Sequence, residues 1–429
     1  MNRTIISQLS EWKQKENRKP LILKGARQIG KTWILKEFGR QYFKKTAYIT
    51  FFKNQRMKNI FEGDYNLERI LTNINIECKT EVTPEDTLII FDEIQECPRA
   101  LESLKYFCEE APQYAVASAG SLLGLALHKD ISFPVGKVDT LQMYPLTFRE
   151  FLMAMGENQL AQVLTGSDTQ LINDFHGTYS YWLKMYMYVG GMPEIVKYFS
   201  EHKNYEQVRT MQNQILKDYE DDFGKYIPKE QLSKVRLVWN SIPMQLAKEN
   251  KKFFFGKIKE GARAKDFEEA IELLKDCGLI TKVQKVSQPA VPLKTYADFT
   301  AFKLYFIDVG LLGAHSGLDA SSILEGNELF VEFKGAVTEQ YVLQQIVSDT
   351  KHIPYYYSGE KATYELDFLI QKAGVLVPVE VKAGENVRSK SLVFFREKYK
   401  NKTATRFSLA KICVQDWLLN LPLYAVVRL

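Results

Sequence analysis

The chain has 429 residues, 45% of them apolar and 25% charged, which is material for ordinary buried cores and for roughly two to four domains, and excludes general disorder. No apolar run approaches the about 20 residues that span a bilayer, the Met1-Asn2-Arg3-Thr4 start lacks the apolar core of a secretory signal, and the scattered Cys78, Cys97, Cys108, Cys277 and Cys413 form no CxxC pair, so a reduced, cytoplasmic protein without a zinc site is expected. The net charge of +5 hides two basic segments, eleven Lys/Arg against three Asp/Glu over residues 224–265 and eight against one over 386–411, which suit either a polyanion such as DNA or RNA or plain solvated lysine-rich faces.

Leu21-Ile22-Leu23 reads as a short strand leading into Gly25-Ala26-Arg27-Gln28-Ile29-Gly30-Lys31-Thr32, after which Trp33, Ile34 and Phe38 recur at helical spacing. This is GxxxxGKT between strand and helix. Its glycines let backbone N–H groups wrap a phosphate chain, Lys31 reaches the β- and γ-phosphates, and Thr32 ligates Mg²⁺, so ATP and Mg²⁺ are the expected ligands of the segment Gly25 to Trp33. Thr87-Leu88-Ile89-Ile90-Phe91 is a continuous apolar run, as in a parallel strand buried on both faces, and it ends in Asp92-Glu93. Asp92 is expected to hold Mg²⁺, and Glu93 to orient or deprotonate the attacking water. A third strand, Tyr114 to Ser118, runs into Ala119-Gly120-Ser121.

Together with Asp92-Glu93-Ile94-Gln95 and Ala119-Gly120-Ser121, the stretches Tyr144-Pro145-Leu146-Thr147-Phe148-Arg149-Glu150-Phe151-Leu152 and Tyr188-Val189-Gly190-Gly191-Met192-Pro193-Glu194 resemble the prokaryotic AAA-like P-loop ATPases that carry a C-terminal domain of unknown function, of the AAA_14 plus DUF4143 type. The resemblance extends over nearly the whole chain and implies an α/β fold with a P-loop parallel sheet of the AAA+ kind. It also implies a γ-phosphate sensor at Ser118 or Ser121, where a plain turn serine is the alternative, and an arginine-finger position at Lys137. The family usually has Thr-Gly-Ser where this chain has Ala119-Gly120-Ser121, and Gly-Arg where it has Gly136-Lys137; lysine keeps the charge but loses the bidentate fork. Gly190, Gly191 and Pro193 read as a backbone turn.

From Tyr179 to Tyr226 aromatic and aliphatic residues recur at helical intervals. Leu232 to Leu246, Ala264 to Asp276 and Leu279 to Val283 then read as helix, helix and strand, which resembles the winged helix-turn-helix of the same family, with Phe267, Ala270, Leu273 and Leu274 as its buried stripe. Lys257, Lys259, Arg263 and Lys265 would face DNA if the helix enters a groove; the alternative is a packing module.

In the last third, Glu339 lies in a helical segment, and Tyr364 to Ile370 and Val375 to Lys382 read as two strands joined at Lys372-Ala373-Gly374. Alternation puts Glu380 and Lys382 on one face with Asp367 nearby. This set resembles the PD-(D/E)xK restriction-endonuclease fold, with Asp367 and Glu380 as metal ligands, Lys382 beside them and Glu339 as the helix carboxylate; Leu366 stands where the motif has proline. Arg388, Lys390, Arg396 and Lys398 downstream suit a phosphate backbone. A surface Glu380–Lys382 ion pair is the structural alternative.

The expected organisation is a P-loop ATPase domain with a helical extension over residues 1–215, a winged-helix connector over 216–320 and a restriction-endonuclease-like domain over 321–429. Two functions fit it: an ATPase coupled to nucleic acid, or a nucleotide-dependent switch or scaffold that binds a protein partner and carries an inactive nuclease-like domain. A metabolic kinase is a weaker third, since nothing downstream reads as a small-molecule site. No membrane partner is expected, and the oligomeric state stays open.

Overall fold

The computed structural model describes residues 3–120, 133–248, 251–321, 331–359, 364–384 and 389–429. It divides into two compact units, one made of Arg3–Tyr144 with Asp276–Gly278, the other of Pro145–Lys275 with Leu279–Leu429. No described helix is long and apolar enough to cross a membrane.

The first unit is built on five parallel strands, β1 (Leu21–Lys24), β2 (Lys45–Thr50), β3 (Thr87–Asp92), β4 (Ala115–Ala119) and β5 (Asp139–Gln142), in the order β2-β3-β4-β1-β5. Every residue of β3 and β4 is buried, which is why both are apolar without alternation. On one face Ile22, Ile49, Ile89, Phe91 and Val116 join side chains from the helices Gln55–Glu62, Leu67–Cys78 and Pro98–Glu110, and Phe51, Phe61 and Phe91 meet edge to face. Leu21, Leu23, Leu88 and Ile90 alternate with these and are buried too. Each such aliphatic side chain contributes about 1.5–3 kcal/mol on burial. Parallel order places the ends of β1 and β3 on either side of β4, since Leu23 and Asp92 are both partners of Ala119.

In the second unit a run of helices extends from Phe148 to Leu246. The Thr147 to Glu150 stretch is a capping box: the Thr147 hydroxyl accepts from the Glu150 N–H, and the Glu150 carboxylate from the Thr147 N–H. Gly190 has φ +75°, and a Cβ there would collide with the buried Asp308 carboxylate, which accepts from the Gly191 N–H at 2.7 Å. The glycine pair thus serves close backbone packing.

The helices Lys229–Leu246 and Ala264–Asp276 are followed by the antiparallel pair β6 (Ile280–Val286) and β7 (Ala297–Phe306). The buried stripe of the second helix is Phe267, Ala270, Ile271 and Leu274. Leu273 is only half-buried, a correction to the expected stripe: Ile271 completes the i, i+3, i+4, i+7 face and Leu273 falls beside it.

The pair continues into the C-terminal strands, β8 (Tyr355–Ser358), β9 (Glu365–Lys372), β10 (Val375–Val381), β11 (Ala404–Ser408), β12 (Cys413–Gln415) and β13 (Leu418–Pro422). They form one mixed eight-stranded sheet, β12-β13-β11-β10-β9-β8-β6-β7. β6 joins β8 through the single pair Lys285 and Tyr356. The tight turn between β9 and β10 has Ala373 at φ +48° and Gly374 at +78°, the left-handed pair that a two-residue hairpin needs.

Candidate active site

The loop after β1 is shaped by its glycines. A Cβ on Gly25, at φ +151°, would stand 2.5 Å from the Met143 carbonyl oxygen. Gly30, at φ +88°, precedes the helix Lys31–Tyr42, whose first turn has no side-chain cap. Its N–H groups and the positive end of the helix dipole are the standard reception for a phosphate. Gln28 also lies at positive φ (65°), Ile29 is fully buried beneath the loop, Arg27 and Trp33 are exposed, and the Ala26 side chain is buried. The Lys31 ammonium donates to the carbonyls of Gly25 (3.0 Å) and Ala26 (2.6 Å). Burial pushes it down to about 8, with Glu93 and then Asp92 opposing. A charge this poorly solvated gains most from a phosphate oxygen beside it.

Thr32 and Asp92, sixty residues apart in sequence, meet here: the Thr32 hydroxyl donates to Asp92 Oδ1 at 2.8 Å. Side by side, a hydroxyl and a carboxylate are the hard oxygen donors Mg²⁺ takes, so these two residues fit the ion. The other Asp92 oxygen accepts from the Tyr48 hydroxyl at 2.7 Å. Burial first, then the Asp92 carboxylate, push the Tyr48 phenol well above its usual range, so it remains a donor. Lys36 lies 3.5 Å over its ring.

Glu93 follows at φ 52°, ψ 45°, a left-handed conformation that costs a non-glycine residue about 1–2 kcal/mol and is typical of functional positions. Its carboxylate accepts from the buried Gln95 side chain. Gln95 in turn packs on Gly120, where a Cβ would stand 2.5 Å from Gln95 Oε1.

Residues 17–152 match the family described as AAA domain, residues 180–322 a domain of unknown function, DUF8612, and residues 334–425 another, DUF4143. The first match spans the phosphate loop, Asp92 and Glu93 on the parallel sheet just described. The chain thus carries an AAA-type P-loop domain over its first third and a DUF4143 domain near its C-terminus. No curated protein matches it. Among solved structures, the Walker-type ATPase PABY2304 of Pyrococcus abyssi aligns at 12% identity over 73% of this chain and 95% of that one, with a TM-score of 0.46. The Thermotoga maritima RuvB Holliday junction branch migration motor aligns at 13% identity over 66% and 89%, with a TM-score of 0.30. The Aeropyrum pernix Orc1 protein in complex with DNA aligns at 12% identity over 73% and 91%, with a TM-score of 0.26. At such scores the fold assignment rests on the strand order and the family match.

Other residues expected at the nucleotide site lie elsewhere. Ser118 is buried and its hydroxyl donates to the Leu21 carbonyl at 3.0 Å, stitching β4 to β1. Lys137 precedes β5, whose first residue, Asp139, pairs with Leu21 at the start of β1; it therefore stands at the end of the sheet opposite the phosphate loop, where it is paired with Glu109 at 2.8 Å. Ser121 and Arg388 lie outside the described residues. Tyr48 and Gln95 were not singled out from the sequence: a tyrosine in an apolar strand reads as core, and Gln95 had only its place beside Asp92-Glu93 to mark it.

The DUF4143 domain does bring Asp367, Glu380, Lys382 and Glu339 together. The β9 and β10 register pairs Phe368 with Val379, which sets Asp367 opposite Glu380 on the same face. Asp367 Oδ2 accepts from the Val381 N–H at 2.7 Å, and Lys382 pairs with Glu380 Oε1 at 2.5 Å. Glu339, buried in the helix Val331–Gln345, has both oxygens engaged: Oε2 by Lys251, Oε1 by the Tyr305 hydroxyl and by Lys303 at 3.3 Å. Lys303, on β7 and fully buried, also pairs with Glu365 at 2.7 Å. Burial would raise the Glu339 carboxyl, but Lys251 and Lys303 outweigh it and hold the group well below its usual range. Asp367 is raised to about 7, by burial first and then by the Glu339 charge.

These residues do not fit a divalent cation in this arrangement. Both Glu339 oxygens are held by ammonium groups, Lys251 and Lys303, and one Glu380 oxygen by Lys382, so the acids are already met by positive charge. Among the described residues no set of three or more His, Cys, Asp or Glu is disposed to hold a metal ion.

Proposed function

We propose that the chain binds ATP with Mg²⁺ at the phosphate loop and hydrolyses it, and that the nucleotide state governs contact with nucleic acid. The contact between Thr32 and Asp92 carries the first part, because it joins the two halves of a magnesium site at the mouth of a loop preorganised for phosphate. In this reading the N–H groups from Gly25 to Thr32 cradle the phosphates, and Lys31 leaves the loop carbonyls for the β- and γ-oxygens. Bound Mg²⁺, on Thr32 and Asp92, would neutralise charge on the phosphates. Tyr48 holds Asp92 in place. Glu93, kept in its bent conformation and oriented by Gln95, positions and deprotonates the attacking water.

Phosphate release from labelled ATP tests this. Lys31→Ala is expected to weaken ATP binding, whereas Glu93→Gln keeps binding and slows release by about a hundredfold or more. Native protein that binds ATP but never releases phosphate, with or without DNA or RNA, would leave a nucleotide switch.

The nucleic-acid part is supported by basic residues of the second unit: Lys257, Lys259, Arg263 and Lys265, before and within the helix Ala264–Asp276, are all exposed. With Lys390, Arg396 and Lys398 they are the expected phosphate contacts, and binding to labelled DNA or RNA should fall steeply with salt. Absence of any salt-sensitive binding, with ATP-dependent capture of a protein, would favour the scaffold reading.

A further inference from the structure

The cluster around Glu339 draws its parts from four segments of the second unit: Lys251 from the stretch after the helix Lys229–Leu246, Lys303 and Tyr305 from β7, Glu339 from the helix Val331–Gln345, and Glu365 and Asp367 from β9. A lysine in a strand ordinarily leads its ammonium to water. Lys303 does the opposite. Its side chain has no exposed surface, and its ammonium lies between Glu339 and Glu365, against the face of Tyr356 at 4.9 Å. Lys251 is nearly as enclosed, at 15% exposure, on the other Glu339 oxygen. Buried charges persist where they are paired and hydrogen-bonded, and this set is.

We propose that this is a metal-free ion-pair joint: the ammonium groups of Lys251 and Lys303 supply the positive charge that a divalent cation supplies in the nuclease fold the domain resembles, and the domain does not cut by metal-assisted hydrolysis. The joint fastens the Lys251 segment and β7 to the C-terminal strands, so its work is cohesion. One observation pulls the other way, since Glu380 Oε2 is buried without a hydrogen-bond partner. Its surroundings are already cationic: Lys382 holds the other oxygen of the same carboxylate, and Glu380 is in register with the buried Arg406 on β11. A divalent cation placed there would have to share the Glu380 carboxylate with Lys382 and lie near the Arg406 strand position. The inference stands whether or not the P-loop hydrolyses ATP.

The test is Mn²⁺ titration of the full chain without nucleotide, read by the electron-spin resonance of free Mn²⁺ and by melting temperature. The native chain should show no Mn²⁺ binding and no thermal shift that Asp367→Asn removes. Lys303→Met combined with Lys251→Met, judged folded by circular dichroism, should gain an Asp367-dependent Mn²⁺ site at least tenfold tighter than anything in the native chain. Native binding or a stabilising shift lost in Asp367→Asn overturns the proposal, and so does a folded double variant that gains no site. If the double variant does not fold, the native comparison alone decides. ATP binding measured on the same samples reports on the P-loop separately.

Discussion

Asp92 and Glu339 are both buried carboxylates, each drawn into a polar cluster by residues far away in sequence, yet their neighbours differ in kind. Asp92 accepts its hydrogen bonds from two hydroxyls, Thr32 and Tyr48, which are neutral donors, and feels the Lys31 ammonium only across space. Glu339 is met by two ammonium groups and one hydroxyl. A carboxylate held by hydroxyls keeps its appetite for a cation, and one held by lysines has satisfied it. The identity of the partner, more than the presence of the acid, decides whether a site is chemical or structural.

Matched variants should break the comparison cleanly if it is wrong. Asp92→Asn is expected to lower ATP hydrolysis on the order of a hundredfold or more, the scale of losing one electrostatic group at a reacting phosphate, with little change in the unfolding midpoint. Glu339→Gln is expected to do the reverse: hydrolysis per folded molecule unchanged, and stability of the second unit reduced by about 3–5 kcal/mol, because Lys303 is left buried with half its compensation. Denaturant unfolding followed alongside phosphate release distinguishes them, and an Asp92 variant that unfolds like the Glu339 variant would erase the contrast. Gln95→Leu sharpens it on a smaller scale: turnover should drop about 10–100-fold with ATP affinity kept, as for loss of a group that orients a functional side chain.

The smallest effect concerns Asp367, the carboxylate of the cluster that burial disfavours. Its folded value of about 7 lies above the ordinary unfolded range, so the folded chain holds this proton between roughly pH 4 and 7 and its stabilising contribution is lost as pH rises through 7. Asp367→Asn should therefore raise the melting temperature by about 2–4 °C at pH 8, by less at pH 5, and leave it nearly unchanged at about pH 4, a trend that thermal scans across this range would detect.

Much of this was legible in the sequence where chemistry is local. GxxxxGKT between a strand and a helix, and an apolar run ending in Asp92-Glu93, carry their geometry with them, and the short turn between β9 and β10 places Asp367 opposite Glu380. What stayed hidden depends on contacts between distant segments. Lys303 stands in Ala301-Phe302-Lys303-Leu304-Tyr305, where alternation reads it as a solvent-facing strand residue, and Lys251 belongs to a basic run that suggests a polyanion. Their true partners lie 36 and 88 residues downstream. Tyr48 was masked in the same way, since nothing near it in sequence announces that its hydroxyl ends on Asp92.

The eight-stranded sheet is sewn very unevenly. Between β6 and β8 the ladder is one pair wide, whereas β9 and β10 run together from Val375 to Val379. Lys303 reaches from β7, past β6 and β8, to Glu365 on β9, and so spans that seam like a rivet through two plates. A pull that separates the β6 and β7 pair from the C-terminal strands must extract a charged side chain from a dry pocket as well as unzip one rung. The thinnest line in the sheet is thereby made the one where parting is most abrupt.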